Sequence, residues 1–155
     1  MMRARSTFVL ALALAACTPG GAAMTGGGGG AGGSVLTIDV NLTLSQPVQT
    51  PYGLSGAMTP PVATVPVGSV IQFANTDGFA HTASLIPGTT FPNASPLTSA
   101  ATTQHGNTIS TANWTSGAMQ AGTTSQPITV DKAGTYLYGC YFHFGAPMKG
   151  AIVAQ

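Results

Sequence analysis

The sequence predicts an all-β domain, a β-sandwich, and three observations carry that prediction. The 21 Gly and 11 Pro among 155 residues punctuate strands and break helices. Apolar and polar residues alternate with period 2 in several short runs, most cleanly from Ser34 to Ser45. Nowhere beyond the N-terminal apolar run does a helical period persist, and the length suits one domain.

The N-terminal residues are expected to lie outside that domain. Met1 to Ala16 places two basic residues, Arg3 and Arg5, before the apolar run Phe8 to Ala16, the layout of a secretory signal and too short to span a bilayer. Leu14-Ala15-Ala16-Cys17 resembles the bacterial lipoprotein box, in which cleavage falls just before a Cys that becomes lipid-modified. Residues 1–16 are therefore expected to be a signal peptide and Cys17 the lipidated mature N-terminus. Thr18 rather than Asp follows it, which argues against inner-membrane retention and favours the outer membrane of a Gram-negative cell. Residues 17–33 continue as a Gly-rich linker, a flexible tether with a root-mean-square reach of roughly 20–24 Å. The folded unit is expected at 34–155.

Within it, Leu36, Ile38, Val40, Leu42 and Leu44 share one strand face, with Thr37, Asp39, Asn41, Thr43 and Ser45 on the other. Residues 46–61, with four prolines and two glycines, read as loop or broken edge strand. Val62 to Asn75 reads as two short strands about the turn Val67-Gly68-Ser69, and His81 to Ile86 as another. Residues 87–113 are a long polar excursion without a period. Strand character returns at 126–130, 135–140 and 148–154, and short strands separated by turn signals make a sandwich.

Charge narrows the function. Four basic and three acidic side chains provide no basic patch for phosphates, which excludes nucleic-acid binding. Cysteine use is equally informative: with Cys17 lipidated, Cys140 lacks a disulfide partner, and an unpaired thiol in an oxidising compartment invites a metal.

Cys140 stands in Gly139-Cys140-Tyr141-Phe142-His143-Phe144-Gly145-Ala146-Pro147-Met148, a Cys-x2-His-x4-Met pattern. A thiolate, an imidazole and a thioether on one turn suit copper, in a trigonal thiolate–imidazole plane with a long axial thioether bond. Such a plane needs a second imidazole. His81 begins a strand after a turn and so has a fixed direction, whereas His105 lies in the polar excursion, which makes His81 the better candidate.

These residues resemble the cupredoxins, the small blue-copper proteins of the plastocyanin, amicyanin and pseudoazurin group. Val65-Pro66-Val67-Gly68-Ser69-Val70-Ile71-Gln72-Phe73-Ala74-Asn75 before the first His, and Ala133-Gly134-Thr135-Tyr136-Leu137-Tyr138 before the Cys, carry the likeness beyond the ligand loop. The resemblance implies a Greek-key sandwich and one type 1 copper ion held by His81, Cys140 and His143, with Met148 axial. It departs at Thr82, where the family commonly has an Asn that braces the ligand loop, and at Phe73, where many relatives carry Trp. The 87–113 segment has no placeable counterpart.

The expected function is that of a monomeric, non-enzymatic electron carrier in the periplasm or cell envelope, anchored to the membrane through Cys17. Redox protein partners are expected to dock near His143, where Phe142, Phe144, Ala146 and Pro147 would form an apolar patch. The alternative is a copper storage or delivery module, for which an exposed Met or His cluster is wanting.

Overall fold

The computed structural model describes residues 34–43 and 46–155. The expected signal peptide, Cys17, the Gly-rich linker, Leu44 and Ser45 lie outside the described residues.

The chain forms β1 (Val35–Val40), β2 (Val48–Thr50), β3 (Gly53–Ser55), β4 (Met58–Thr59), β5 (Val62–Val65), β6 (Val70–Asn75), β7 (Ser84–Ile86), a 3-10 turn (Ser99–Thr102), β8 (Ile128–Thr129), β9 (Gly134–Gly139) and β10 (Lys149–Ala154). Two four-stranded sheets, β4-β1-β6-β8 and β5-β10-β9-β7, form the sandwich, and β2 and β3 make a separate hairpin. From β4 onward the chain alternates between sheets until the β9–β10 pair. Sequence-distant strands therefore meet in parallel, β1 against β6 and β5 against β10. This is the all-β Greek-key architecture expected.

Alternation explains the core. In β6, Ile71, Phe73 and Asn75 point inward, and Ile38 and Val40 do so from β1. Tyr138 and Ile152 meet them from the other sheet, and Trp114 enters from the loop before β8. Phe73, Trp114 and Tyr138 form an aromatic cluster with centroids 5.0–6.3 Å apart.

One expectation needs correction. The first strand stops at Val40 rather than running to 45, because the buried Asn41 side chain turns the chain: its Oδ1 accepts the Thr43 N–H at 3.0 Å and its Nδ2 donates to Thr76 O at 3.2 Å. Such Asx turns compete with a strand ladder. Of the two readings of residues 46–61, the broken edge strand is the one seen: β4 lies at the edge of its sheet beside β1, preceded by the β2–β3 hairpin.

Candidate metal centre

The site is assembled by strand pairing. In the β9–β10 hairpin Gly139 faces Lys149, and the Cys140 N–H donates to Met148 O at 2.9 Å. The ends of the Cys-x2-His-x4-Met segment are thus held together, and the Ala146 N–H closes a turn onto His143 O at 3.0 Å. β7 lies on the other side of β9, with Ser84 opposite Gly139. That places His81 and Thr82 beside Cys140.

Cys140 Sγ lies 3.7 Å from His81 Nδ1 and 3.7 Å from His143 Nδ1, and the two nitrogens are 3.1 Å apart. A triangle with these sides has its centre about 2.0 Å from each corner, which matches a metal–imidazole bond and is slightly short of a metal–thiolate one, taking zinc as the yardstick. His81, Cys140 and Met148 are fully buried, whereas His143 keeps partial exposure. The donor set, one thiolate and two imidazoles with a thioether residue alongside, has the softness of a copper site. The residues present therefore fit the ion. His105 is exposed, pairs through its backbone with Thr115, and takes no part in this cluster.

The surroundings fix the ligand atoms. Thr82 N–H donates to Cys140 Sγ at 3.4 Å, which fixes the position of the sulfur. The Thr82 hydroxyl accepts the Tyr141 N–H at 2.9 Å, so this Thr does bracing work that the family commonly gives to Asn. His81 Nε2 lies 3.1 Å from Asp77 Oδ2. Donation from Nε2–H to that carboxylate leaves the Nδ1 lone pair facing Cys140.

Asp77 is itself enclosed. Burial pushes its carboxyl up, but N–H donors from Gly78 and Leu42, both at 2.8 Å, and the His81 contact outweigh this and hold it below the ordinary 3.8. Burial, and next the proximity of His81, pull the His143 imidazole below its ordinary value, with Asp77 opposing them. The neutral ring so favoured is the form that binds metal.

Three features escaped the sequence. Asp77 sits in Thr76-Asp77-Gly78, where an Asp reads as a turn former. Phe79 is 41% exposed, with its ring 5.1 Å from that of His81 and 5.3 Å from that of His143. Its position two residues before His81 was the available signal. Phe144, expected in the surface patch, is instead buried with Ile86, Leu137 and Ala151. It packs over Gly139, where an added Cβ would meet its ring at 3.1 Å, and carries the Lys149 ammonium 4.3 Å above its centroid. Phe79 and Phe142 are the exposed aromatics beside His143.

No curated protein matches the chain. Among solved structures it is similar to a novel purple cupredoxin from Nitrosopumilus maritimus, at 18% identity over 77% of this chain and 98% of that one, with a TM-score of 0.47. It is also similar to a reduced Trp-to-Tyr mutant of amicyanin, at 16% identity over 79% of this chain and 83% of that one, TM-score 0.48. The copper binding proteins of the plastocyanin/azurin family match residues 55–155. With that match spanning well over half of its length and a thiolate–bis-imidazole cluster within it, the chain belongs to the plastocyanin/azurin family of copper binding proteins.

Proposed function

We propose that the protein is a single-copper electron carrier, held outside the cytoplasm by a lipid on Cys17, with His81, Cys140 and His143 as the trigonal ligands and Met148 as the axial one. The observation that carries this reading is the triangle of donor atoms from buried Cys140 and His81 and half-buried His143, all within 4.8 Å of one another. Copper bound there supplies one-electron chemistry by cycling between Cu(I) and Cu(II). The protein's part is to keep the ligands still. Strand pairing holds Cys140 and Met148, Asp77 holds the His81 ring, and Thr82 braces the loop at Tyr141. A site that moves little on changing charge loses little energy to reorganisation, and no substrate bond is made, so the reading is of a carrier and not an enzyme.

Electrons would leave through His143, the partly exposed member of the cluster, whose ring lies 5.3 Å from that of Phe79 and 6.2 Å from that of Phe142. The mature chain would carry two Lys and three Asp, too few charges to steer an encounter. Docking is therefore apolar, and association rates should vary little with salt. Tethering at Cys17 raises the effective concentration of membrane partners instead. Burial of three ligand residues speaks against the alternative of a storage or delivery module, since transfer sites must expose theirs.

Adding Cu(II) to the purified protein should produce an intense visible thiolate-to-copper band that Cys140→Ser abolishes. A colourless complex would sink the proposal. Ready loss of copper to a mild chelator, without reversible voltammetry, would favour delivery. A protein that stays fully soluble in cells when Cys17 is intact would remove the anchor.

A further inference from the structure

The segment carrying His81 is held from two sides. One side is the β7–β9 pairing already described. On the other side residues 114–119, which show no strand pattern in the sequence, run antiparallel to 81–85. Leu85 N–H donates to Trp114 O at 2.9 Å and Ser116 N–H to Ala83 O at 2.9 Å, while His81 and Met119 exchange both backbone bonds at 3.0 and 2.8 Å. The partners 85/114 and 83/116 share a register, but 81/119 is one residue out. An extra residue therefore bulges between Ser116 and Met119. Gly117 occupies the bulge at φ +69°, and a Cβ there would meet Gln104 N at 2.6 Å.

Buried hydroxyls lock this segment in place. Thr115 is 3% exposed, and its Oγ1 donates to Ala101 O at 2.8 Å, accepts the Gly117 N–H at 3.1 Å and lies 2.7 Å from Ser84 Oγ. One hydroxyl thus joins the 3-10 turn, the bulge and β7. Ser84 Oγ stands 3.4 Å from Thr82 Oγ1, the acceptor of the Tyr141 N–H beside Cys140. Ser116 Oγ adds a bond from the Ala83 N–H at 2.8 Å. Residues 99–119 therefore bond directly to the segment that bears His81, and reach the Cys140 segment through the relay from Thr115 to Ser84, Thr82 and the Tyr141 N–H.

We propose that residues 99–119 form a strap that positions the His81 imidazole and the Thr82 brace, with the Thr115 hydroxyl as its latch. Thr115 is thereby a positioning residue for the metal centre. The physical need is clear: ligand geometry must be held within about 0.5 Å, and a lone edge segment leading into β7 would fray at its His81 end. The strap supplies the missing neighbour. The inference rests on the copper reading for its optical arm alone.

The test is amide hydrogen exchange by NMR on the metal-free full chain, followed by optical spectra with Cu(II). Thr115→Val removes the hydroxyl at nearly constant volume and leaves Ala101 O and Gly117 N–H without their buried partner. Exchange at the His81, Ser116, Met119 and Tyr141 amides should accelerate about tenfold or more, while the β1 and β6 amides stay within about twofold. Thr115→Ser should restore the original rates. In the copper-loaded protein the energies or relative intensities of the thiolate-to-copper bands should change with Thr115→Val and return with Thr115→Ser. Unchanged exchange at His81 and Met119, or equal acceleration at every amide, overturns the strap. Should Thr115→Val fail to fold, Ser84→Ala is judged by the same local-versus-global criterion. An original protein that shows no intense visible band with Cu(II) overturns the copper reading, and the exchange rates still decide the strap.

Discussion

Replacing Asp77 with Asn should raise the reduction potential of the copper-loaded protein. The Asp77 side chain is 4% exposed and its Oδ2 lies 3.1 Å from His81 Nε2. Allowing for the width of the ring and about 2.0 Å beyond Nδ1, the carboxylate stands about 7 Å from the centre of the ligand triangle. With an effective dielectric constant of about 20, a unit charge at that distance is worth about 2.4 kcal/mol, or about 100 mV for one electron. A negative charge favours the more oxidised ion, so its removal makes reduction easier. Asn keeps the shape, and its one carbonyl oxygen can stand in for only one of the two carboxylate oxygens. It cannot satisfy Leu42, Gly78 and His81 together, so a stability cost of about 1–3 kcal/mol should accompany the change. Voltammetry at neutral pH reads the first effect and chemical denaturation the second. Because the carboxylate is buried, the shift should persist at about 0.5 M salt, where exposed charges are screened. A shift below about 20 mV, or one that is downward, would refute the assignment of Asp77 as an ionised partner of His81.

Other expectations are equally specific. Tyr138 is fully buried with its hydroxyl unpartnered, and burial pushes its ionisation up, so Tyr138→Phe should stabilise the fold by about 1 kcal/mol in denaturant titration; a loss of that size would mean a missed partner. The melting temperature of the metal-free protein should fall in two steps as pH drops. The first comes below 6.5, where the unfolded His143 takes up a proton that the folded ring resists. The second comes below 3.8, where stability from the depressed carboxyls of Asp131, bonded to the Ser110 hydroxyl, and Asp77 is lost as pH falls through their folded values. A melting temperature that rises toward pH 3 would contradict both signs. Phe79→Asp, which puts a charge beside the His143 edge, should slow electron self-exchange about tenfold without abolishing the visible band; unchanged self-exchange would remove Phe79 from the docking face.

What could be foreseen in the sequence was what is local. Cys140, His143 and Met148 sit on one turn between two alternating strands, so their spacing alone brings them together. His81 could be chosen over His105 because a strand end has a direction and a polar loop does not. Asp77 was hidden because an Asp before a Gly has a sufficient local explanation as a turn residue. The 114–119 strap was hidden for a different reason. Its residues Thr115, Ser116 and Gly117 alternate in no apolar pattern, since their ladder faces buried hydroxyls and a bulge. Phe144 was misplaced because every aromatic in the ligand loop looks alike until β9 is known to offer Gly139 beneath it. Alternation in the sequence outlasts the first strand because it continues through Asn41, whose side chain outcompetes the ladder.

The most direct test of the site is X-ray absorption at the copper edge of the protein loaded with one equivalent of Cu(II), beside its Cys140→Ser and His81→Gly variants. The expected first shell has one sulfur and two nitrogens at about 2.0–2.3 Å, with the sulfur gone in the first variant and one nitrogen gone in the second. A shell of nitrogen and oxygen alone, or one unchanged by either substitution, would contradict the assignment of Cys140, His81 and His143 as the ligands.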